Sequence, residues 1–312
     1  MLEDFLWVEK YRPQTIEDTI LPADLKKTFQ QFVDQANIPN LILSGSAGVG
    51  KTTVAKAMCE MLDCDYIVIN GSLEGRSIDI LRNEIMNFAS SVSLRGGRKY
   101  VILDEADYLN AQTIQPALRN FMEEFSANCG FILTCNFAER IIAPLQSRCS
   151  VINFKLPKKD IPVLATQFLK RVCTILDKEN VKYEKQVVGE VITRFFPDWR
   201  RVLNELQRYS ATGAIDTGIL SNIKNENFAD LISYLKDKNF TATRKWVGDS
   251  DVDVGAFYRA FFNAMEPKIG KPSIPYLVIL IAKYQYQGSF VVNQDINLMA
   301  FLAEVMAEVE FV

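Results

Sequence analysis

Gly45, Ser46, Ala47, Gly48, Val49, Gly50, Lys51 and Thr52 follow the apolar run Leu41 to Leu43 and precede a helical pattern, the arrangement that cradles a nucleoside triphosphate. Glycines between a buried strand and a helix let backbone N–H groups reach phosphate oxygens, and the helix N-terminus favours their negative charge. Lys51 would neutralise the β and γ phosphates, Thr52 would ligate Mg²⁺ through its hydroxyl, and Thr53 extends the cofactor-binding stretch. The run Val101 to Leu103 ends in Asp104 and Glu105. Asp104 would hold Mg²⁺ and Glu105 would orient and activate water, because phosphoryl transfer is chiefly positioning and charge neutralisation. A further apolar run, Phe131 to Cys135, ends in Asn136. Its neutral side chain could hydrogen-bond the γ-phosphate or the attacking water, although Asn there is also a common turn former. Arg148 precedes the last apolar run of this part of the chain, a place where an isolated arginine is usually a surface salt bridge.

For these groups to meet, strands must alternate with covering helices. Leu41 to Leu43, Tyr66 to Ile69, Tyr100 to Leu103, Gly130 to Thr134 and Val151 to Phe154 are short β-rich runs. Segments 51–62, 78–92 and 111–125 have helical spacing, and the whole predicts an α/β core with a parallel sheet. Functional groups then collect at the C-terminal ends of the strands. Before the core, Leu25, Phe29, Phe32 and Val33 repeat at helical spacing; within it, Pro116 should bend or restart the helix 111–125. Beyond Pro157 the strands stop, and amphipathic helices carry Leu164, Phe168, Val202, Leu231, Phe257, Phe261, Leu298 and Phe301. The expected division is a nucleotide-binding core at 1–155, a helical lid at 156–220 and an all-helical collar, whose rich apolar faces suit holding an oligomer together, at 221–312, with a polar stretch around 221–227.

Composition narrows the chemistry. With 312 residues and 48% hydrophobic content, the chain has material for more than one core. Its 35 basic and 38 acidic residues nearly cancel, so a nucleic-acid contact would need local clustering. Six cysteines without a CxxC pair suit reduced, mostly buried thiols, and the apolar runs are too short for a membrane span, which predicts a soluble intracellular protein. There is no histidine, so any base must be a carboxylate. Asp104-Glu105-Ala106-Asp107 spells a helicase signature, but that family's HRxGR motif needs the missing histidine; Ala106 and Asp107 read as incidental.

Trp7-Val8-Glu9-Lys10-Tyr11-Arg12-Pro13, the phosphate loop, the acid pair, Leu118-Arg119-Asn120-Phe121-Met122-Glu123, Thr134-Cys135-Asn136 and Ser147-Arg148-Cys149 follow one another in the order of a known family. The chain resembles AAA+ sliding-clamp-loader subunits: the small subunits of replication factor C and, more closely in its C-terminal half, the large ATPase subunit of T-even-like bacteriophage loaders. Motifs carry the likeness over residues 5–210, and helical character over the remainder. It implies an AAA+ ATPase of DNA replication that uses ATP and Mg²⁺. It also implies a homo- or hetero-oligomer, pentameric in the family, with other loader subunits, a sliding clamp and primer-template DNA as partners, in the host cytoplasm if phage-encoded.

The resemblance also implies roles. Arg148 would be an arginine finger reaching a neighbouring subunit's nucleotide, Asn136 the first sensor, and Arg200 the second, with Arg201 a close competitor. Trp7, Val8, Tyr11, Arg12 and Pro13 would lie near adenine, and Gln115 would link DNA contact to Glu105. Arg76 and Arg82 would meet the DNA backbone, Arg82 lying beside an apolar face of Leu81, Ile85, Phe88 and Val92. Residues 95–99 make a basic loop with a possible phosphate role, and Tyr108, Leu109 and Ile114 could dock a clamp or belong to the core. The alternative is another oligomeric AAA+ ATPase that remodels DNA or protein. A threading motor would need an aromatic-hydrophobic-Gly pore loop, which residues 70–98 lack, and a junction or origin remodeller would append a winged helix.

Overall fold

The computed structural model describes residues 5–72, 78–93, 96–211, 213–216, 228–249, 254–288, 290–291 and 293–311. Arg76, Arg95 and the polar stretch 221–227 lie outside the described residues, as does the side chain of Leu81.

Five parallel strands form the central sheet: β1 (Leu41–Ser44), β2 (Tyr66–Asn70), β3 (Lys99–Asp104), β4 (Cys129–Cys135) and β5 (Ser150–Asn153), in the order β2-β3-β4-β1-β5. Register levels the strand ends. Ser44 pairs with Cys135, Leu103 with Leu133, and Asn70 with Asp104, so the chain leaves β1, β3 and β4 along one edge of the sheet. Alternation sends β1 side chains to opposite faces. Leu41 and Leu43 join Phe29, Met58, Ile102 and Ile132 in one buried cluster, while Ile42 joins Val101, Leu103, Phe131 and Leu133 in another.

Helices cover both faces. Besides the short N-terminal turn α1 (Trp7–Lys10), these are α2 (Ala23–Asp34), α3 (Lys51–Met61), α4 (Ile78–Ser90), α5 (Ile114–Glu124) and α6 (Ala143–Gln146). Helix α5 starts at Ile114, later than the sequence suggested. Pro116 therefore falls in the first turn, where its missing N–H costs no helical bond, and the helix runs unbroken to Glu124. Among the described side chains of α4, Ile85 and Ala89 are buried and Phe88 packs half-buried against the same core; Val92 lies beyond the helix end and is exposed, which removes it from the expected apolar stripe. Leu109 and Ile114 are buried in the core, leaving only Tyr108 of that trio exposed. Lys99 does not reach outward from the basic loop. It is buried, and its ammonium caps the C-terminal end of α4 through the Phe88 and Ser91 carbonyls.

Residues 156–216 add α7 (Ile161–Lys178), α8 (Lys185–Phe195) and α9 (Trp199–Ser210). Strands do not stop at Pro157 as expected: β6 (Lys182–Tyr183) and β7 (Ala214–Ile215) pair in parallel, Lys182 with Ala214. Two-residue strands carry too little pattern to be read in a sequence. Trp199 packs between Phe168 of α7, at 4.4 Å between ring centroids, and Phe196, at 5.1 Å.

The chain divides into two compact units, residues 1–216 and 217–312. In the second, α10 (Phe228–Lys236), α11 (Phe240–Asp249), α12 (Val254–Met265), α13 (Ser273–Gly288) and α14 (Gln294–Glu308) enclose an aromatic core. Phe257 stacks on Phe261 at 5.3 Å, and Phe301 meets Tyr258 edge-on at 5.1 Å. Among the described residues, no helix is long and apolar enough to cross a membrane.

Candidate functional site

The C-terminal edge of the sheet opens into a cavity between the phosphate loop and helices α7 and α9. Gly48 and Gly50 take left-handed backbone angles, φ 71° and 96°, which turn the loop into the start of α3. At Gly48 a Cβ would stand 1.7 Å from Asp198 Oδ1, so only glycine lets the loop approach the lid there. The same Asp198 oxygen accepts the Arg201 N–H at 2.9 Å, capping α9.

Ala47, Gly48, Val49, Gly50, Lys51, Thr52 and Thr53 line the cavity. Gly45 and Ser46 do not; they contribute carbonyl oxygens, each accepting Lys51 Nζ at 2.8 Å. Lys51 Nζ also donates to Asn136 Oδ1 at 3.0 Å, which joins the ends of α3 and β4. Burial pushes the Lys51 ammonium below its ordinary pKa, while Cys135, Asp104 and Asp107 push back. Its three acceptors are weak, neutral oxygens that a triphosphate would replace to advantage.

Asp104 Oδ1 accepts the Thr52 hydroxyl at 2.6 Å and the Thr134 hydroxyl as well. A hydroxyl and a carboxylate at this spacing are hard oxygen donors of the kind Mg²⁺ takes beside phosphate oxygens and water, so the residues fit that ion. Glu105 lines the cavity with a left-handed backbone, φ 55°, unusual for a side chain with a Cβ. Its N–H donates to Thr134 Oγ1 at 3.2 Å, so Thr134 sets both acids.

The far wall comes from either end of the unit. Val8, Tyr11, Arg12 and Pro13 line the cavity. Trp7 does not: it is buried, with its backbone N–H on Gln207 Oε1 at 2.9 Å, and so supports the wall from behind. Arg12 donates to Thr53 Oγ1 at 3.1 Å and to Glu9 at 3.0 Å, holding the Glu9 carboxyl below its usual range. Glu179, the residue after α7, accepts from Lys10 at 2.6 Å and from the Tyr11 hydroxyl. Arg200 also lines the cavity, whereas Arg201 turns away and stacks over Phe195 at 4.6 Å.

Other expected residues stand apart. Arg148 does not line this cavity; its Nε donates to Glu123 Oε1 at 2.8 Å and its Nη1 to the Pro144 carbonyl at 2.9 Å. Gln115 is fully buried and makes no bond to Glu105. Its amide donates to the Leu109 and Arg140 carbonyls at 3.0 Å each and accepts the Ile142 N–H at 2.8 Å, bracing the loops after β3 and β4 against each other. Arg82 is exposed on α4.

Sequence reading missed Arg171 of α7, which lines the cavity and donates to the Asp18 carbonyl; burial lowers its pKa from the ordinary arginine value. Nothing local distinguishes it from the other basic residues of an amphipathic helix. Thr134 and Cys135 also line the cavity, and their place beside Asn136 was the available signal.

Comparison with known proteins identifies the family and agrees with the fold. The model of the ATPase family associated with various cellular activities (AAA) matches residues 41–156, and that of the sliding-clamp-loader large subunit, AAA+ ATPase lid domain, matches residues 162–221. The sliding-clamp-loader large subunit of Enterobacteria phage T4 is 34% identical over 97% of this chain and 96% of its own. That of Escherichia phage RB69 is 34% identical over 96% and 95%. The replication factor C small subunit of Archaeoglobus fulgidus is 36% identical over 81% of each chain. Among solved structures, a Thermotoga maritima RuvB mutant superposes with a TM-score of 0.53 at 15% identity, over 68% of this chain and 72% of that one, a likeness of fold alone.

Proposed function

The chain belongs to the AAA+ sliding-clamp-loader ATPases and is an ATP hydrolase, and from that premise we propose that it uses ATP and Mg²⁺ to open a sliding clamp and leave it on primer-template DNA. The observation that carries this reading is the convergence of Lys51, Asp104, Glu105 and Asn136 at one sheet edge, with Arg200 facing them from the lid and Arg148 bound elsewhere. Such a site has its acids and its phosphate cradle but draws no cation from its own finger.

In this reading Ala47 to Thr53 cradle the phosphates with Gly45 and Ser46 behind them, and Lys51 exchanges the carbonyl acceptors of those two for β and γ oxygens. Thr52 and Asp104 would hold Mg²⁺, which would supply charge neutralisation there. Glu105 orients the attacking water, with Asn136 fixing the γ-phosphate side. Arg200 couples the lid to the nucleotide, while Val8, Tyr11, Arg12 and Pro13 form the base pocket. Arg148 serves a neighbouring subunit, a role worth about 10³ to 10⁵ in rate for such fingers. Arg76 and Arg82 meet DNA, and Gln115 transmits that contact by bracing two loops that carry catalytic side chains. Other loader subunits complete the assembly, a pentamer by analogy, working in the cytoplasm.

ATPase assays with and without clamp and primer-template DNA test the reading. Turnover should rise only when both are present, and Lys51→Ala should abolish it; stimulation surviving in Lys51→Ala would sink the assignment of the cavity.

A further inference from the structure

Asp107 follows the two catalytic acids closely, and none of the roles above uses it. It lies in the single 3-10 turn after Glu105, is 6% exposed, does not line the cavity, and no described cation is in salt-bridge contact with it. A carboxylate buried without a counter-ion is costly unless hydrogen bonds hold it. Two do. Its Oδ2 accepts the backbone N–H groups of Asn136 at 3.2 Å and Phe137 at 3.3 Å, while Oδ1 is buried without a hydrogen-bond partner.

The two amides are consecutive and come immediately after the last residue of β4. There the sheet register no longer dictates the path of the chain, because the ladder with β1 ends at Ser44 and Cys135. A single carboxylate oxygen gripping both amides replaces that guidance. It fixes the Cα of Asn136, and Asn136 Oδ1 in turn receives Lys51 Nζ at 3.0 Å. The half-satisfied carboxylate is thus coupled, through one peptide unit, to the two side chains that face the phosphates.

We propose that Asp107 is a positioning residue for ATP hydrolysis: it clamps the chain after β4 so that Asn136 presents its amide beside Lys51. The assignment rests on the cavity being the ATP site. An apolar replacement would leave the β4 strand in place, since its seven residues are buried and paired on both sides, but would free the first residues of the loop. Contacts that hold a metal ligand in place typically cost about 10- to 100-fold when lost, and a loss of that order is expected for this contact on Asn136.

The test is a double-mutant cycle in the assembled loader with clamp and primer-template DNA: Asp107→Ala, Asn136→Ala and the pair, with kcat and the Kd of a fluorescent ATP analogue measured for each. Asp107→Ala should lower kcat by about 10- to 100-fold while Kd stays within about threefold, and the pair should be no slower than Asn136→Ala alone. Asp107→Asn, whose amide oxygen can accept the same two N–H bonds in the same volume, should keep kcat within about threefold of wild type. Losses that multiply in the pair, an unaffected Asp107→Ala, or a tenfold loss in Asp107→Asn each overturn the proposal. If Asp107→Ala does not fold, Asp107→Asn decides alone. Lys51→Ala run in parallel separates the two levels: inactivity there with multiplying losses removes only the role of Asp107, whereas activity there removes the ATP site itself.

Discussion

Two hydroxyls converge on one oxygen of Asp104, and they come from elements far apart in sequence: Thr52 opens α3 and Thr134 lies near the end of β4. Thr134 additionally accepts the Glu105 N–H, so one small side chain holds the acid proposed for Mg²⁺ and the backbone of the acid proposed for water. Replacing it with valine keeps the β-branched shape in a strand while deleting both bonds. Thr134→Val should therefore fold normally by circular dichroism yet need about tenfold more Mg²⁺ for half-maximal ATPase, as expected when a contact supporting a metal ligand is lost. An unchanged Mg²⁺ titration would reduce Thr134 to packing. The motif around it was plain in the sequence, but which of Thr134, Cys135 and Asn136 would face which partner was not, because alternate residues of a strand point to opposite faces and the phase depends on pairing.

Helix α9 shows how an element decides between neighbours. Trp199, Val202 and Leu206 are buried, and that packing phases the helix so that Arg200 and Leu203 reach the cavity while Arg201 swings roughly 100° away on a 3.6-residue turn. The sequence left both arginines open because each follows Trp199 closely and both precede the apolar repeat. Trp199 also joins α9 to α7 through Phe168. Trp199→Ala should destabilise this unit by about 3 to 5 kcal/mol, the usual cost of emptying a large buried aromatic site. Denaturant unfolding measures that loss, and the KM for ATP should rise with it as Arg200 loses its support. A raised KM with unaltered unfolding would mean that Trp199 acts on the nucleotide directly.

For the molecule as a whole, the informative feature is what its first unit withholds from its own cavity. Arg148 is tied to Glu123, whose carboxyl it holds below the usual range, and neither lines the cavity. An exposed pair of this kind stabilises little and can be exchanged at small cost for a phosphate on another chain. In assemblies mixed from Arg148→Ala and Glu105→Gln chains, hydrolysis should survive only where an intact Arg148 faces an intact Glu105. Activity that falls in simple proportion to the wild-type fraction would argue against a finger supplied in trans. The second unit buries Phe257, Phe261 and Phe301 but leaves Ile279 and Tyr286 of α13, seven residues apart and so on one face of the helix, exposed.

The sequence by itself determined the chemistry's components and the class of fold that carries them. The phosphate loop works through contacts with residues a few positions away, such as Lys51 to Gly45 and Ser46, and alternating apolar runs suffice to call for covered parallel strands. Tertiary structure alone decided how those components meet. Thr134 with Asp104, Asp107 with the Asn136 amide, Arg171 with the wall of the cavity and Arg200 in preference to Arg201 all depend on strand register or helix phase. Both are set by packing between segments dozens of residues apart, and local spacing carries no record of them.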